Sequence, residues 1–182
     1  MSHIPGMIRA MSAVPRVHLA DPQANVREIV ELLRQADAQN VRLCVFPELC
    51  LCGYTCADLL IHPPLLSGCL QALYTLLQAP VRAAFVVGLP LEIGGRLYNC
   101  AVAVCGGRIL GVVPKTHLPG SCEFYEKRWF EPGHSAPESM TLCGQTVPVG
   151  GDLVFDCGLF SFGVELCEDL WVPAPPSAKL CM

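Results

Sequence analysis

Ser161-Phe162-Gly163-Val164-Glu165-Leu166-Cys167-Glu168-Asp169-Leu170-Trp171 is the stretch on which the reading of this chain turns. Phe162, Val164 and Leu166 alternate with Ser161, Gly163 and Glu165, the period of a β-strand with a buried face. The run then becomes polar at Cys167-Glu168-Asp169 and closes on Trp171 and Pro173. A strand that stops at a cysteine can hold a thiol rigidly at the mouth of a cleft, as a nucleophile requires. The competing reading is that Cys167 is a small core residue, as many free cysteines are.

Working outward, the same alternation of apolar runs and turn signals predicts an α/β domain. Ile8 to Val14 reads as a first strand. Asp21-Pro22 is a helix start, with Asp as N-cap and Pro in the first turn. The helix runs to about Gln39, with Val26, Ile29, Val30, Leu33 and Ala36 on its apolar side. Val41 to Phe46, almost wholly apolar, reads as a strand buried on both faces, which implies a sheet covered by helices. Leu65 to Gln78 is a second amphipathic helix, with Leu66, Cys69, Leu70, Leu73, Leu76 and Leu77 in register. Ala83 to Leu89, Leu97 to Cys105 and Ile109 to Val113 follow as strands, the last three linked by Gly94-Gly95 and Gly106-Gly107. Connections this short make antiparallel hairpins. The expected sheet is therefore mixed, βαβαβ followed by a meander. Glu123 to Phe130 reads as a short helix over a pocket and Glu131 to Gly144 as loop. Thr146 to Val149 and Leu153 to Asp156 read as short strands. No helix is expected after the Cys167 strand.

The totals narrow the function. The chain has 182 residues, 52% hydrophobic and 15% charged, with a formal net charge of −4. That is material for one large core, without the signature of disorder. The scattered lysines offer no basic face, so nucleic-acid binding is disfavoured. No apolar run approaches the roughly 18–20 residues of a membrane span. Met1 to Ala13 lacks the apolar core of a secretory leader. The 12 cysteines are then expected as free thiols in a reducing, cytoplasmic setting. Cys50, Cys52 and Cys56 lack the paired spacing of a zinc site, so no metal is expected.

Glu48, Lys115 and Cys167 each follow a predicted buried strand, and loops at one sheet edge gather residues distant in sequence. Together they would support covalent amide chemistry. A thiolate attacks a carbonyl, a carboxylate moves the proton, and an ammonium steadies the oxyanion. Singly, Glu48 serves as well to cap a turn, Lys115 as a solvated charge and Cys167 as packing.

Three segments carry a resemblance: FPELCLCGYTCADLL from Phe46, PKTHLPGSCEFYEKRWFEPG from Pro114, and GVELCEDLWVPAPPS from Gly163. They resemble the signature blocks of the nitrilase, or carbon–nitrogen hydrolase, superfamily. More narrowly, they look like the N-terminal glutaminase domain of bacterial glutamine-dependent NAD synthetases. The resemblance implies a nitrilase-type αββα sandwich. It implies Glu48 as general base, Lys115 as transition-state stabiliser and Cys167 as nucleophile. Glu123 matches a second glutamate that holds the lysine, and Tyr54 and Glu168 match residues near the glutamine pocket. Ser121 stands where a typical member has a Tyr that helps bind glutamine, so a looser pocket is expected.

The implied function is hydrolysis of the glutamine side-chain amide through a cysteine thioester. The ammonia would serve to amidate nicotinic acid adenine dinucleotide to NAD on a synthetase domain not in this chain. No cofactor is implied for the hydrolysis; ATP and Mg belong to the synthetase domain. Glutamine, a synthetase domain or homologous subunit, and further copies of the chain are the implied partners. After Ser177 the likeness ends, so residues 1–182 are expected to form an incomplete domain with its C-terminal part missing. Alternatives are an inactive remnant and a stand-alone amidase for another small amide.

Overall fold

The computed structural model describes residues 6–136 and 138–182. Five strands form the central sheet: β1 (Ala10–Ser12), β2 (Leu43–Val45), β3 (Ala84–Ile93), β4 (Arg96–Cys105) and β5 (Arg108–Pro114). Their spatial order is their sequence order. β1, β2 and β3 run parallel, and β3, β4 and β5 run antiparallel. The expected mixed sheet is present, a parallel half joined to a meander.

Helix α1 (Pro22–Ala38) and helix α2 (Pro63–Leu77) supply the crossovers of the parallel half. Asp21 caps α1 by accepting the Ala24 N–H at 2.9 Å. Ile29, Leu33 and Ala36 of α1 and Cys69, Leu73 and Leu76 of α2 are buried in one apolar core with Cys44, Phe85, Val87, Leu89 and Val102 of the sheet. The apolar side of α2 is rotated from the reading above. Leu65 and Ala72 are buried, whereas Leu70 is exposed.

Both helices lie on one face, which corrects the expectation drawn from β2. Cys44 points into the helical core and is fully buried, but Val45 on the opposite face is 41% exposed. That second face is covered over part of its width only. There Val86, Ala101, Ala103 and Val113 form a small cluster with Phe155 and Leu166.

Other boundaries also shift. The segment read as loop contains β6 (Ser139–Leu142), paired with β7 (Gln145–Pro148). β8 (Val154–Asp156) pairs with β9 (Ser161–Gly163) as a separate hairpin. β9 is therefore not a buried central strand: Phe162 and Val164 are half-buried, and Ser161 and Gly163 are exposed. It ends before Cys167, which opens a 3-10 turn, Cys167–Trp171. Trp171 closes nothing, being 75% exposed. A short helix, α3 (Pro176–Leu180), does follow, against expectation. The leader question at Met1 to Pro5 lies outside the described residues, among which no helix is long and apolar enough to cross a membrane.

One glycine positions the site. A Cβ on Gly88 of β3 would lie 2.3 Å from the Leu49 backbone nitrogen and 2.8 Å from the Pro47 carbonyl oxygen. Only a residue without a side chain lets the turn carrying Glu48 lie on β3 this closely. Gly88→Ala is expected to lower stability by about 1–3 kcal/mol. For a chain of this size that is roughly 2–4 °C of Tm per kcal/mol. Thermal unfolding checks it, and an unchanged Tm would contradict the close approach.

Candidate active site

The site begins where β2 ends. Phe46 continues the sheet by donating its N–H to Val86, after which Pro47 to Gly53 turns back on itself. Leu51 donates to the Gly88 carbonyl at 3.1 Å and Gly53 to the Leu49 carbonyl at 2.7 Å. Leu49 takes the left-handed conformation, φ 52°. The turn carries the Glu48 side chain to Asn99 within β4 and to Lys115 just after β5.

Lys115 is the residue immediately after β5. Its N–H bonds to the Asn99 carbonyl on β4 at 2.8 Å, so the ladder still fixes its backbone. Its side chain is fully buried, with Nζ 2.8 Å from Glu48 Oε1 and 2.7 Å from Glu126 Oε1. Gly133 seals it from the other side, donating to the Lys115 carbonyl at 2.7 Å.

Glu126 makes the contact that the resemblance assigned to Glu123. Glu123 is exposed and makes no hydrogen bond or ion pair among the described residues. Glu126 opens a 3-10 turn, Glu126–Arg128, and is buried. The turn faces inward at Glu126 because its other side is tied down. Arg128 binds Asp58 through Nε at 2.7 Å and Nη2 at 3.0 Å, and Trp129 Nε1 donates to the same carboxylate at 2.9 Å. Tyr54 donates its hydroxyl to Glu126 and meets the Phe124 ring edge-on at 6.3 Å.

Cys167 is exposed, with its backbone in the left-handed region at φ 45°. A non-glycine residue there is strained and must be held by its surroundings. Asp169 does the holding. Its buried carboxylate accepts the Leu166 N–H at 3.3 Å, just before Cys167. It also accepts the Thr116 and His117 N–H groups at 3.2 and 2.7 Å, just after Lys115. His117 Nδ1 lies 2.9 Å from the same oxygen. One carboxylate thus ties the lysine loop to the cysteine turn. Glu168 is half-buried, and its backbone N–H is among the groups that pull the Cys167 thiol down. Ser121 is exposed, and its side chain makes no hydrogen bond to the cluster.

Electrostatics tie the groups together. Burial raises the Glu48 pKa above 4.5; bonds to Lys115 and Asn99 oppose it and the Glu126 charge adds to it. Burial alone would depress Lys115, but hydrogen bonds to Glu126 and Glu48 outweigh it and the ammonium is held above its ordinary 10.5. The Cys167 thiol is raised by partial burial; the Lys115 charge pulls it down while Glu48 and Glu126 push it up. The thiol therefore lies within the field of the other three. A thiol, a carboxylate and a buried cation are the groups that covalent acyl transfer uses. No group of three or more His, Cys, Asp or Glu among the described residues is placed to hold a metal. Burial pushes the Cys50 thiol up to about 12.

The carbon–nitrogen hydrolase family model matches residues 9–177. The chain belongs to the carbon–nitrogen hydrolase family. The glutamine-dependent NAD(+) synthetase of Mycobacterium tuberculosis is 38% identical over 97% of the chain, and that of Mycobacterium leprae is 34% identical over 100% of it. The chain spans 27% of the length of either relative. The solved glutamine-dependent NAD(+) synthetase of Cytophaga hutchinsonii superposes with a TM-score of 0.82 at 27% identity, covering 88% of this chain and 28% of that one. The NitN amidase from a Nesterenkonia species shares the fold, with a TM-score of 0.71 at 21% identity over 92% of this chain and 60% of that one. The nitrilase-type α/β class expected above is thus the class of this fold.

The carbon–nitrogen hydrolase frame leaves Asn99, Glu126 and Asp169 as site residues that the sequence reading did not single out. Asp169 had a signal, lying two residues from the candidate nucleophile. Glu126 lies within EFYEKRWF, but only the facing of the turn separates it from Glu123. Removing the cation tests the cluster. Lys115→Ala leaves two carboxylates facing each other, a loss of about 3–5 kcal/mol for a broken buried pair. The penalty should appear at pH 7 and shrink as pH falls through the raised Glu48 value, where that carboxylate takes up a proton. Wild-type stability should conversely fall as pH rises through the elevated Lys115 value. Unfolding curves at pH 4 and 7 measure the first, and curves taken on either side of pH 10.5 measure the second.

Proposed function

We propose that the chain hydrolyses the side-chain amide of glutamine, with Cys167 as nucleophile, Glu48 as general base and Lys115 as oxyanion stabiliser. The observation that supports this most is a fully buried ammonium clasped by two carboxylates, with Cys167 in its field. Glu48 takes the thiol proton as sulfur attacks the amide carbon. Lys115 stabilises the negative oxygen of the tetrahedral intermediate, worth roughly 2.7–4 kcal/mol for one such donor. Collapse breaks the C–N bond, and the leaving nitrogen takes the proton from Glu48 and departs as ammonia. The cysteine thioester is then cleaved by water, activated by the same carboxylate, to release glutamate and restore the thiol. Glu126 positions Lys115 without meeting the substrate.

The ammonia is proposed to feed a synthetase domain that amidates nicotinic acid adenine dinucleotide to NAD. The relatives that support this carry both words, glutamine-dependent and synthetase, in their names. A stand-alone amidase for another substrate is not favoured, since the likeness to the solved amidase is weaker in sequence. Ser121, small and exposed, is proposed to leave the glutamine pocket wider than a Tyr would.

Ammonia release from glutamine tests the assignment. Cys167→Ala is expected to abolish it, and Glu126→Gln to reduce kcat about 100-fold, as a displaced Lys115 would. Glu123→Gln should stay within about twofold, as a surface substitution does. Retained activity in Cys167→Ala would remove the assignment, and equal losses at 123 and 126 would remove the distinction between them.

A further inference from the structure

Residues 46–58 form one continuous segment that meets the lysine cluster at three depths. Glu48 bonds Lys115 in the interior, Tyr54 bonds Glu126 further out, and Asp58 bonds Arg128 and Trp129 at the surface. The facing segment supplies Glu126, Arg128 and Trp129 within four residues. Asp58 is the outermost rung. Its carboxylate meets the Arg128 guanidinium with both oxygens, at 2.7 and 3.0 Å, and accepts the Trp129 indole N–H at 2.9 Å. Arg128 and then Trp129 hold the Asp58 carboxyl below the usual carboxylate range, so the rung is ionised at neutral pH.

An exposed ion pair adds little to stability. This one carries more structure than stability calls for. Ala57, just before it, takes the left-handed conformation at φ 50°, which a residue with a side chain holds only when its surroundings impose it. The two-oxygen fork fixes direction as well as distance. What that direction serves lies two residues away. With Arg128 held outward, Glu126 faces inward, where its carboxylate lies 2.7 Å from the buried Lys115 ammonium. We propose that Asp58 is a positioning residue of the reaction: through Arg128 and Trp129 it sets Glu126 against Lys115, and so places the ammonium that meets the oxyanion. The proposal rests on Lys115 acting as the oxyanion stabiliser. A surface carboxylate outside the cluster then governs turnover far more than it governs stability. The titratable groups around the ammonium are Glu48 from the turn after β2, Glu126 from its 3-10 turn, Tyr54 bonded to Glu126, and Cys167 from its own turn. Asp58 acts on Lys115 through Glu126.

Two measurements test it on the full chain. In the first, Asp58→Ala should lower kcat for glutamine about 10-fold, as for a misplaced catalytic group, with KM within about threefold and Tm within about 4 °C. Arg128→Ala should do the same, and the double variant should be no worse than either, because both cut one tie. Arg96→Gln, which breaks the exposed Arg96–Glu131 pair at 3.9 Å, is the control and should leave kcat unchanged. Full kcat in Asp58→Ala, additive losses in the double variant, or kcat lost only in proportion to folded protein overturns the proposal. In the second, the Lys115 side-chain nitrogen is followed by NMR across a pH titration. Glu126 helps to hold that ammonium raised, so in Asp58→Ala it should lose its charge about one pH unit lower than in wild type. A Lys115 titration identical to wild type overturns the proposal whatever happens to the rate. If the wild type leaves glutamine untouched while the Lys115 titration still shifts in Asp58→Ala, the substrate reading fails and the placing of Lys115 by Asp58 stands.

Discussion

A lysine ammonium with no exposed surface is the constraint on which this structure depends. Leaving such a group uncompensated in a protein interior costs several kcal/mol, and attraction repays that only with close, well-oriented partners. Glu48 and Glu126, at 2.8 and 2.7 Å, are those partners. Their arrival dictates much else. The turn after β2 must lie against Gly88, the segment after β5 must fold back over the sheet edge, and Gly133 must press on the Lys115 carbonyl. The exposed Arg128–Asp58 pair matters less for its own energy, which at the surface is small. It matters because it fixes which side of a short turn faces in.

The same arrangement sets out the division between stability and chemistry. The cation is satisfied at the expense of Glu48, whose burial makes its charged form unfavourable and so makes it able to take a proton. Cys167 sits strained and exposed within their field, its turn held through Asp169. An Asn99 oxygen with no hydrogen-bond partner among the described residues completes a set of local departures from the most stable choice. Such clustering is what a site of chemistry shows and what a packed core does not.

Much of this was legible in the residues. The 3.6-residue pattern and the Asp21-Pro22 start located α1, and the glycine pairs located the meander. Glu48 and Lys115 were readable because each breaks an apolar run at a strand end. Elsewhere local pattern was insufficient. Glu123 and Glu126 lie in one short segment, and which of them faces inward is decided by a long-range tie to Asp58. β2 has the apolar composition of a strand covered twice, yet Val45 meets solvent, because composition records what a face can bury and not what arrives to cover it. Asn99 was invisible for the opposite reason, a lone polar residue inside an apolar strand whose partners come from distant turns.

The state of the Lys115 ammonium is the most direct test of this account. Heteronuclear NMR of the side-chain nitrogen, with Lys115→Ala to assign it, reads whether the group is charged and shielded from water. The account predicts a slowly exchanging ammonium signal at neutral pH that persists beyond pH 10.5, the ordinary lysine value. A rapidly exchanging signal, or a neutral amine at neutral pH, would contradict it.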